Sequence, residues 1–243
     1  MRKIIKKIIR ILLSPFVLLD YLKFSKINDK RFSIKFSDFH PQIKDKTFTT
    51  GFDRHYVYQT SWAIRVVKEI NPSFHVDISS ILYFSGALSA FIPVKIYDYR
   101  PANFALPDLE SNRGDLHHLP FRDSSIHSIS CMHTIEHIGL GRYGEPMDAE
   151  GDIKAINELK RVTASGGNIL IVVPMGKPKI EFNAHRIYSY EQIISYVIDE
   201  NFILKEFAFI PEFDSEGPLQ RNADPSRVAN ADYACGCFWF QKK

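Results

Sequence analysis

The order of apolar runs in this 243-residue chain predicts an α/β fold, a doubly wound and mostly parallel sheet with helices on both faces. From Thr60 onward, short strand-like runs alternate with helical stretches. Strands separated in this way are joined by right-handed crossovers, whose helices cover both faces of the sheet. Composition agrees: 45% hydrophobic residues, with 19 Phe and 11 Tyr, supply enough apolar surface to offset ordering entropy. A mainly disordered chain is excluded, and the length suits one globular domain with an appendage.

The elements follow in order. Thr60 or Ser61 can cap a helix over residues 60–71, with Trp62, Val66, Val67 and Ile70 on one stripe and Pro72 closing it. Residues 74–78 read as a strand, 81–91 as a helix and 94–97 as a second strand. A short strand near 113–115 and another over 126–132 follow, then a helix over 148–163 with Ile153, Ile156, Leu159 and Val162 in register. Gly166-Gly167 reads as a turn into a strand over 168–173. Residues 202–210 and 233–240 offer an antiparallel edge hairpin. In such sheets ligands bind beyond the carboxyl ends of the strands, which singles out Asp77, Asp98, Asp115, residues 131–137 and residues 174–177.

Charge is divided along the chain. Residues 1–30 hold eight Lys and Arg against two Asp, a surplus of +6; the whole chain sums to +3, so the other 213 residues carry −3. A mildly acidic globule with a basic head is not a nucleic-acid-coating protein. Wound at about 100° per residue, residues 1–22 place Lys3, Lys6, Lys7 and Arg10 on one side and Ile4, Ile5, Ile8, Ile9, Ile11, Leu12, Phe16, Leu18 and Leu19 over most of the other. The longest apolar stretch, 11–19, has 9 residues where a membrane span needs about 20. No small-x-small cleavage site follows, which argues against a signal peptide. We therefore read 1–22 as an amphipathic helix on an anionic membrane surface, with a helix docked on its own domain as the plain alternative. Pro15 should break that helix near Ser14. Residues 23–59 are polar with scattered aromatics and read as a linker or lid, and 60–243 as the α/β domain. Three cysteines give no disulfide framework and suit a reducing, cytoplasmic compartment; Cys235 and Cys237 share one face of a strand as small core residues.

Residues 133–137 spell His-x-x-Glu-His, the inverted zinc-peptidase signature, with His133 and His137 as ligands and Glu136 as general base. That chemistry needs a long helix and a third ligand. A strand runs directly into the motif and Gly139, Gly141 and Gly144 follow it, so the leading reading assigns no metal.

The Asp-ended strand at 74–77, the acidic strand end at Asp98, the segment 114–121, the run 130–138 and the stretch from 158 to 171 recur in one known order. Together they resemble the class I S-adenosylmethionine-dependent methyltransferases over roughly Thr60 to the C-terminus, closest to a glycine-poor bacterial branch of unknown function. The resemblance implies a seven-stranded Rossmann-like sheet and S-adenosyl-L-methionine as cofactor. It implies that Asp98 holds the ribose hydroxyls, Asp115 receives the adenine amino group and Asp77 acts through the first turn, with Ser79, Leu116 and Cys131 completing the set. Ser79 stands where the family has its first glycine, and a Cβ there disfavours positive φ and close approach. Methyl transfer requires the acceptor's proton to be removed, for which His133 is the first candidate and His185 the second, with Glu136 beside them. His137 and Arg186 fall to the acceptor, expected to be a glycan or glycolipid hydroxyl because the basic head addresses a membrane. A binding module that keeps the fold without catalysis is the competing expectation.

Overall fold

The computed structural model describes residues 15–27, 31–43 and 45–243, in two compact units, Met1–Phe52 and Asp53–Lys243. In the first unit, α1 (Pro15–Phe24) begins at the proline, whose missing N–H is no loss in a first turn. None of its side chains is buried, and Phe16, Leu19, Leu22 and Phe24 are all about half exposed or more. Tyr21 packs edge-on against Phe36 and Phe39 at 5.7 and 5.2 Å. The expectation of a helix over residues 1–14 lies outside the described residues.

The second unit begins earlier than residue 60. Helix α2 (Arg54–Ile70) is capped by Asp53, which accepts from the Tyr56 N–H, and not by Thr60 or Ser61. Its buried stripe of Trp62, Ala63, Val66 and Val67 extends back through Gln59 to His55, so the first turn, assigned above to a linker, belongs to the domain. At its other end Asn71 takes the left-handed conformation at φ 50°, ahead of Pro72.

Seven strands form one sheet in the order β3-β2-β1-β4-β5-β9-β8. They are β1 (His75–Ile78), β2 (Val94–Asp98), β3 (Leu109–Arg113), β4 (Ile126–Met132), β5 (Thr163–Met175), β8 (Phe202–Ile210) and β9 (Ala234–Lys242). The first five are parallel, and β9 runs antiparallel between β5 and β8. The expected doubly wound sheet and its antiparallel edge are thus both present. One apolar layer joins α2 and α3 (Leu82–Leu88) to the sheet through Trp62, Val66, Phe84 and Leu88. The other joins α4 (Gly151–Val162) and α5 (Tyr190–Val197) through Ile156, Leu159, Ile193 and Val197.

Three local readings change. Gly166-Gly167 does not precede a strand but lies inside β5, where the pairing with β4 slips. A Cβ on Gly167 would lie 2.7 Å from the Ala164 carbonyl oxygen, so glycine permits this bulge. The third strand occupies Leu109–Arg113, ending where the sequence reading began it. Between β5 and β8 the chain adds a hairpin of β6 (Lys179–Glu181) and β7 (His185–Ile187), then α5, which opens with a reciprocal capping box between Ser189 and Gln192.

Helix α4 is tied to the loop before β4 by Glu158. Its carboxylate accepts the Leu119 N–H at 2.6 Å and two Arg161 N–H groups at 2.7 and 2.6 Å. The Arg161 hydrogen bonds hold its pKa below the usual value against the opposing effect of burial. That stabilisation is complete above the unfolded carboxylate's range and is lost as pH falls through the lowered folded value. Glu158→Gln should therefore cost about 1–3 kcal/mol at neutral pH, and urea titrations should show the gap to the parent closing in acid.

Candidate functional site

The carboxyl ends of β1, β2 and β4 meet around one buried acid. Asp77 is fully buried, and its two oxygens accept from Ser130 Oγ at 2.6 Å and Ser85 Oγ at 2.7 Å. Because Ser130 donates to Asp77, it accepts from His75 Nε2 at 2.9 Å, while His75 Nδ1 accepts from Ser128 Oγ at 2.8 Å. His75 is therefore the neutral Nε2–H tautomer, and burial lowers its pKa to about 3. Burial likewise raises the pKa of Asp77 against its serine hydrogen bonds. Asp77 lines neither cavity described below; it holds the first turn by pinning Ser85 of α3 to β1 and β4.

The next residue but one, Ser79, has φ 54°, the left-handed conformation that glycine adopts freely. Its backbone N–H and its Oγ both donate to the Tyr97 carbonyl, at 3.0 and 3.2 Å, and its own carbonyl accepts from Thr134 Oγ1 at 3.1 Å. Those bonds to β2 and to the loop after β4 hold a conformation that costs a non-glycine residue roughly 1–2 kcal/mol. The backbone path expected of glycine is kept by serine.

Two cavities adjoin this turn and share Ser79 and Tyr143. The first, of about 200 Å³, is walled by Ile78, Tyr99, Leu116 and Ile138, with Asp115 at its rim. Asp115 Oδ1 accepts the His117 N–H at 2.9 Å, which restrains the carboxylate. Asp98 lines neither cavity; it ends β2 next to the lining residue Tyr99 and accepts the Arg100 N–H at 2.6 Å. Between them Gly114 passes so close to β2 that a Cβ would lie 2.8 Å from Tyr97 Cβ. A mainly apolar slot with Asp115 along it suits a flat, amino-bearing base, and Asp98 one residue from the lining Tyr99 suits a diol beyond it, so these residues fit an adenosyl group. Cys131 is not among them: it is completely buried in β4 within the apolar core, where burial pushes its thiol well above the usual range.

The second cavity, of about 350 Å³, is polar and is lined by Tyr56, His133, Glu136, His137, Arg142, His185 and Tyr233. His133 has φ 52° and is followed by a single 3-10 turn, Ile135–His137. The His-x-x-Glu-His pentapeptide is thus not a helix. His133 Nδ1 donates to Glu136 Oε1 at 2.8 Å and its Nε2 lies 3.6 Å from Cys235 Sγ, whereas His137 Nδ1 donates to the Ala184 carbonyl at 2.6 Å. The imidazoles are committed to different partners, which removes the zinc-peptidase reading of His133, Glu136 and His137. Burial disfavours charge on His133, but its contacts with Cys235 and Glu136 prevail and raise its pKa. With both ring nitrogens engaged, His133 has none left to act as the base assigned to it.

Glu136 is fully buried, and its second oxygen, Oε2, has no hydrogen-bond partner. His185 also lines the cavity, and its Nε2, 3.3 Å from Glu181 Oε2, is buried without a hydrogen-bond partner among the described residues. Burial, with Arg142 nearby, lowers the pKa of His137, so it is neutral, and the proton on Nδ1 leaves Nε2 as an acceptor that Arg142 approaches at 3.4 Å. Arg186, assigned to the acceptor, is instead a buried clamp: it donates to the Ile138 carbonyl at 2.6 Å and the Ala149 carbonyl at 3.3 Å, beside Asp152. The cation that does line the cavity is Arg142, which stacks on Tyr143 and donates to the Ala184 carbonyl at 2.9 Å. The sequence reading missed Arg142, Tyr143, Tyr56 and Tyr233; the glycines around Arg142 were read only as helix breakers.

The fold is the Rossmann-like fold of the class I methyltransferases. A chain from the complex between the Haloferax volcanii Trm112 methyltransferase activator and a methyltransferase aligns with TM-score 0.53 and 16% identity, over 77% of this chain and 89% of that one. An S-adenosylmethionine-dependent methyltransferase from Thermotoga maritima aligns with TM-score 0.50 and 16% identity, over 77% and 91%. The N-methyltransferase NodS from Bradyrhizobium japonicum, solved with S-adenosyl-L-homocysteine, aligns with TM-score 0.50 and 11% identity, over 75% and 85%. The family model described as "Caenorhabditis protein of unknown function, DUF268" matches residues 121–224, a Caenorhabditis family where the sequence suggested a bacterial branch. No curated protein matches the chain.

Proposed function

We propose that this chain is an S-adenosylmethionine-dependent methyltransferase acting on a hydroxyl of a glycan or glycolipid precursor at a membrane surface. The observation that carries the reading is the pair of cavities meeting at Ser79 and Tyr143, one apolar with Asp115 at its rim and one polar with a neutral histidine. Structural neighbours solved as methyltransferases support the same cofactor. The left-handed Ser79 speaks against a domain that has lost its cofactor turn.

When bound, S-adenosylmethionine supplies a sulfonium methyl group for in-line displacement. Asp115 would accept from the adenine amino group and Asp98 from the ribose hydroxyls, while Leu116 and Ile138 would exclude water around the base. His137 Nε2 takes the acceptor's hydroxyl proton, while the Ala184 carbonyl holds the ring and its tautomer. Glu136 keeps Oε2 for a second acceptor hydroxyl, and Arg142 contributes positive charge for an anionic group on the acceptor. The test is transfer of label from methyl-labelled S-adenosylmethionine into membrane extracts. We expect label in a glycolipid or polysaccharide fraction; none in any fraction, with cofactor binding intact, would sink the acceptor assignment.

The membrane part rests on the basic head and on the exposed Phe16, Leu19, Leu22 and Phe24 of α1. Among the described residues no helix is long and apolar enough to cross a membrane, and three unpaired cysteines suit the cytoplasmic side. Deleting residues 1–22 should abolish sedimentation with anionic vesicles; a shortened chain that partitions as fully as the intact one would contradict the anchor.

A further inference from the structure

We propose that His55, His133 and Cys235 form a zinc site at the edge of the second cavity. The three come from the first turn of α2, the loop after β4 and the start of β9, and their ligand atoms all lie within 4.8 Å of one another. Among the described residues this is the one such group of His, Cys, Asp or Glu. Zinc bonded at about 2.1 Å to nitrogen and about 2.3 Å to sulfur, at a tetrahedral angle, places those atoms about 3.6 Å apart. His133 Nε2 and Cys235 Sγ are 3.6 Å apart.

The surroundings are those of a metal-binding histidine. His133 Nδ1 donates to Glu136 Oε1 at 2.8 Å, which fixes the ring and directs Nε2 toward the metal position, as outer carboxylates do in zinc sites. The His55 and His133 rings lie 5.5 Å apart, with Tyr233 stacked on the first at 5.1 Å and Tyr56 against the second at 5.4 Å. Cys235 is fully buried. Two imidazoles and one thiolate are a borderline-soft set that favours zinc over magnesium or calcium. Binding displaces the thiol proton of Cys235 and the Nε2 proton of His133, and the metal takes the lone pairs they leave. Three protein ligands leave a fourth position for water or an acceptor heteroatom, since His133, Tyr56 and Tyr233 also line the cavity.

The test is zinc content and cobalt spectroscopy on the untagged, full-length protein. We expect one zinc per chain, and with cobalt the visible bands of a tetrahedral site together with a sulfur-to-cobalt charge-transfer band. Cys235→Ser should remove the charge-transfer band and His55→Gln should weaken binding at least about tenfold, as should Glu136→Gln through the ring it orients. Cys237→Ser, a buried neighbour outside the set, should keep both. His55→Gln, in an N-terminal helical turn, keeps the test open if Cys235→Ser fails to fold. Folded protein that takes up no zinc or cobalt on titration, or binds equally well in the His55 and Glu136 variants, would overturn the site.

Discussion

His137→Gln should lower turnover by about 10²–10⁴-fold, the usual contribution of a positioned base, and leave S-adenosylhomocysteine affinity unchanged. The separation of effects follows from placement. His137 lines only the polar cavity, whereas Asp115 and Leu116 line only the apolar one. The base assignment follows from a proton count: a carbonyl oxygen can only accept, so the 2.6 Å contact to Ala184 places the proton on Nδ1 and leaves Nε2 as an acceptor, with only the long 3.4 Å approach of Arg142 to displace. His185→Gln should cost less than His137→Gln, because among the described residues no hydrogen bond fixes the His185 ring or its tautomer, whereas Ala184 fixes both in His137. Equal losses in the two variants would mean that the base has been misassigned.

The second large effect is expected at Asp77. Asp77→Ala removes the acceptor for two buried hydroxyls, Ser130 and Ser85, and leaves the chain from Ser130 through His75 to Ser128 without its terminus. Stranded buried donors cost about 1–3 kcal/mol each, so a loss of several kcal/mol should appear in denaturant unfolding. Asp77→Asn keeps one acceptor oxygen, and its amide can donate to the other serine, so it should cost much less. Because Ser85 lies on the helix after the first turn, the alanine variant should also weaken cofactor binding, without touching cofactor itself. An alanine variant as stable as the parent would show that this carboxylate does not hold the turn.

Much of the fold could be read from residue order because strand-length apolar runs alternate with helical stretches, as Ile126–Met132 precedes Gly151–Val162. The β6–β7 hairpin could not, since Lys179–Glu181 is only three residues long and exposed throughout. The start of α2 was misplaced because Thr60 and Ser61 have the chemistry of a cap, while Asp53, seven residues earlier, is the one that accepts the Tyr56 N–H. The capping box at Ser189 and Gln192 has the Ser-x-x-Gln spacing that marks a helix start in sequence. The site divides in the same way. Asp115, Leu116, Ser79, Glu136, His137 and His185 are brought to the cavities because strand ends converge there. Arg186 and Cys131 are withdrawn from function by burial, which a single sequence does not display. The approach of Cys235 to His133 spans 102 positions and depends on β9 inserting between β5 and β8, a crossover with no local signal.

The most direct measurement is calorimetric titration of S-adenosylhomocysteine into the intact protein, beside Asp115→Ala. One-site binding that the variant weakens by roughly 10–100-fold, the worth of a hydrogen bond to a charged group, is the predicted result. A folded parent protein that gives no binding at millimolar ligand would contradict the assignment of the apolar cavity and, with it, methyl transfer.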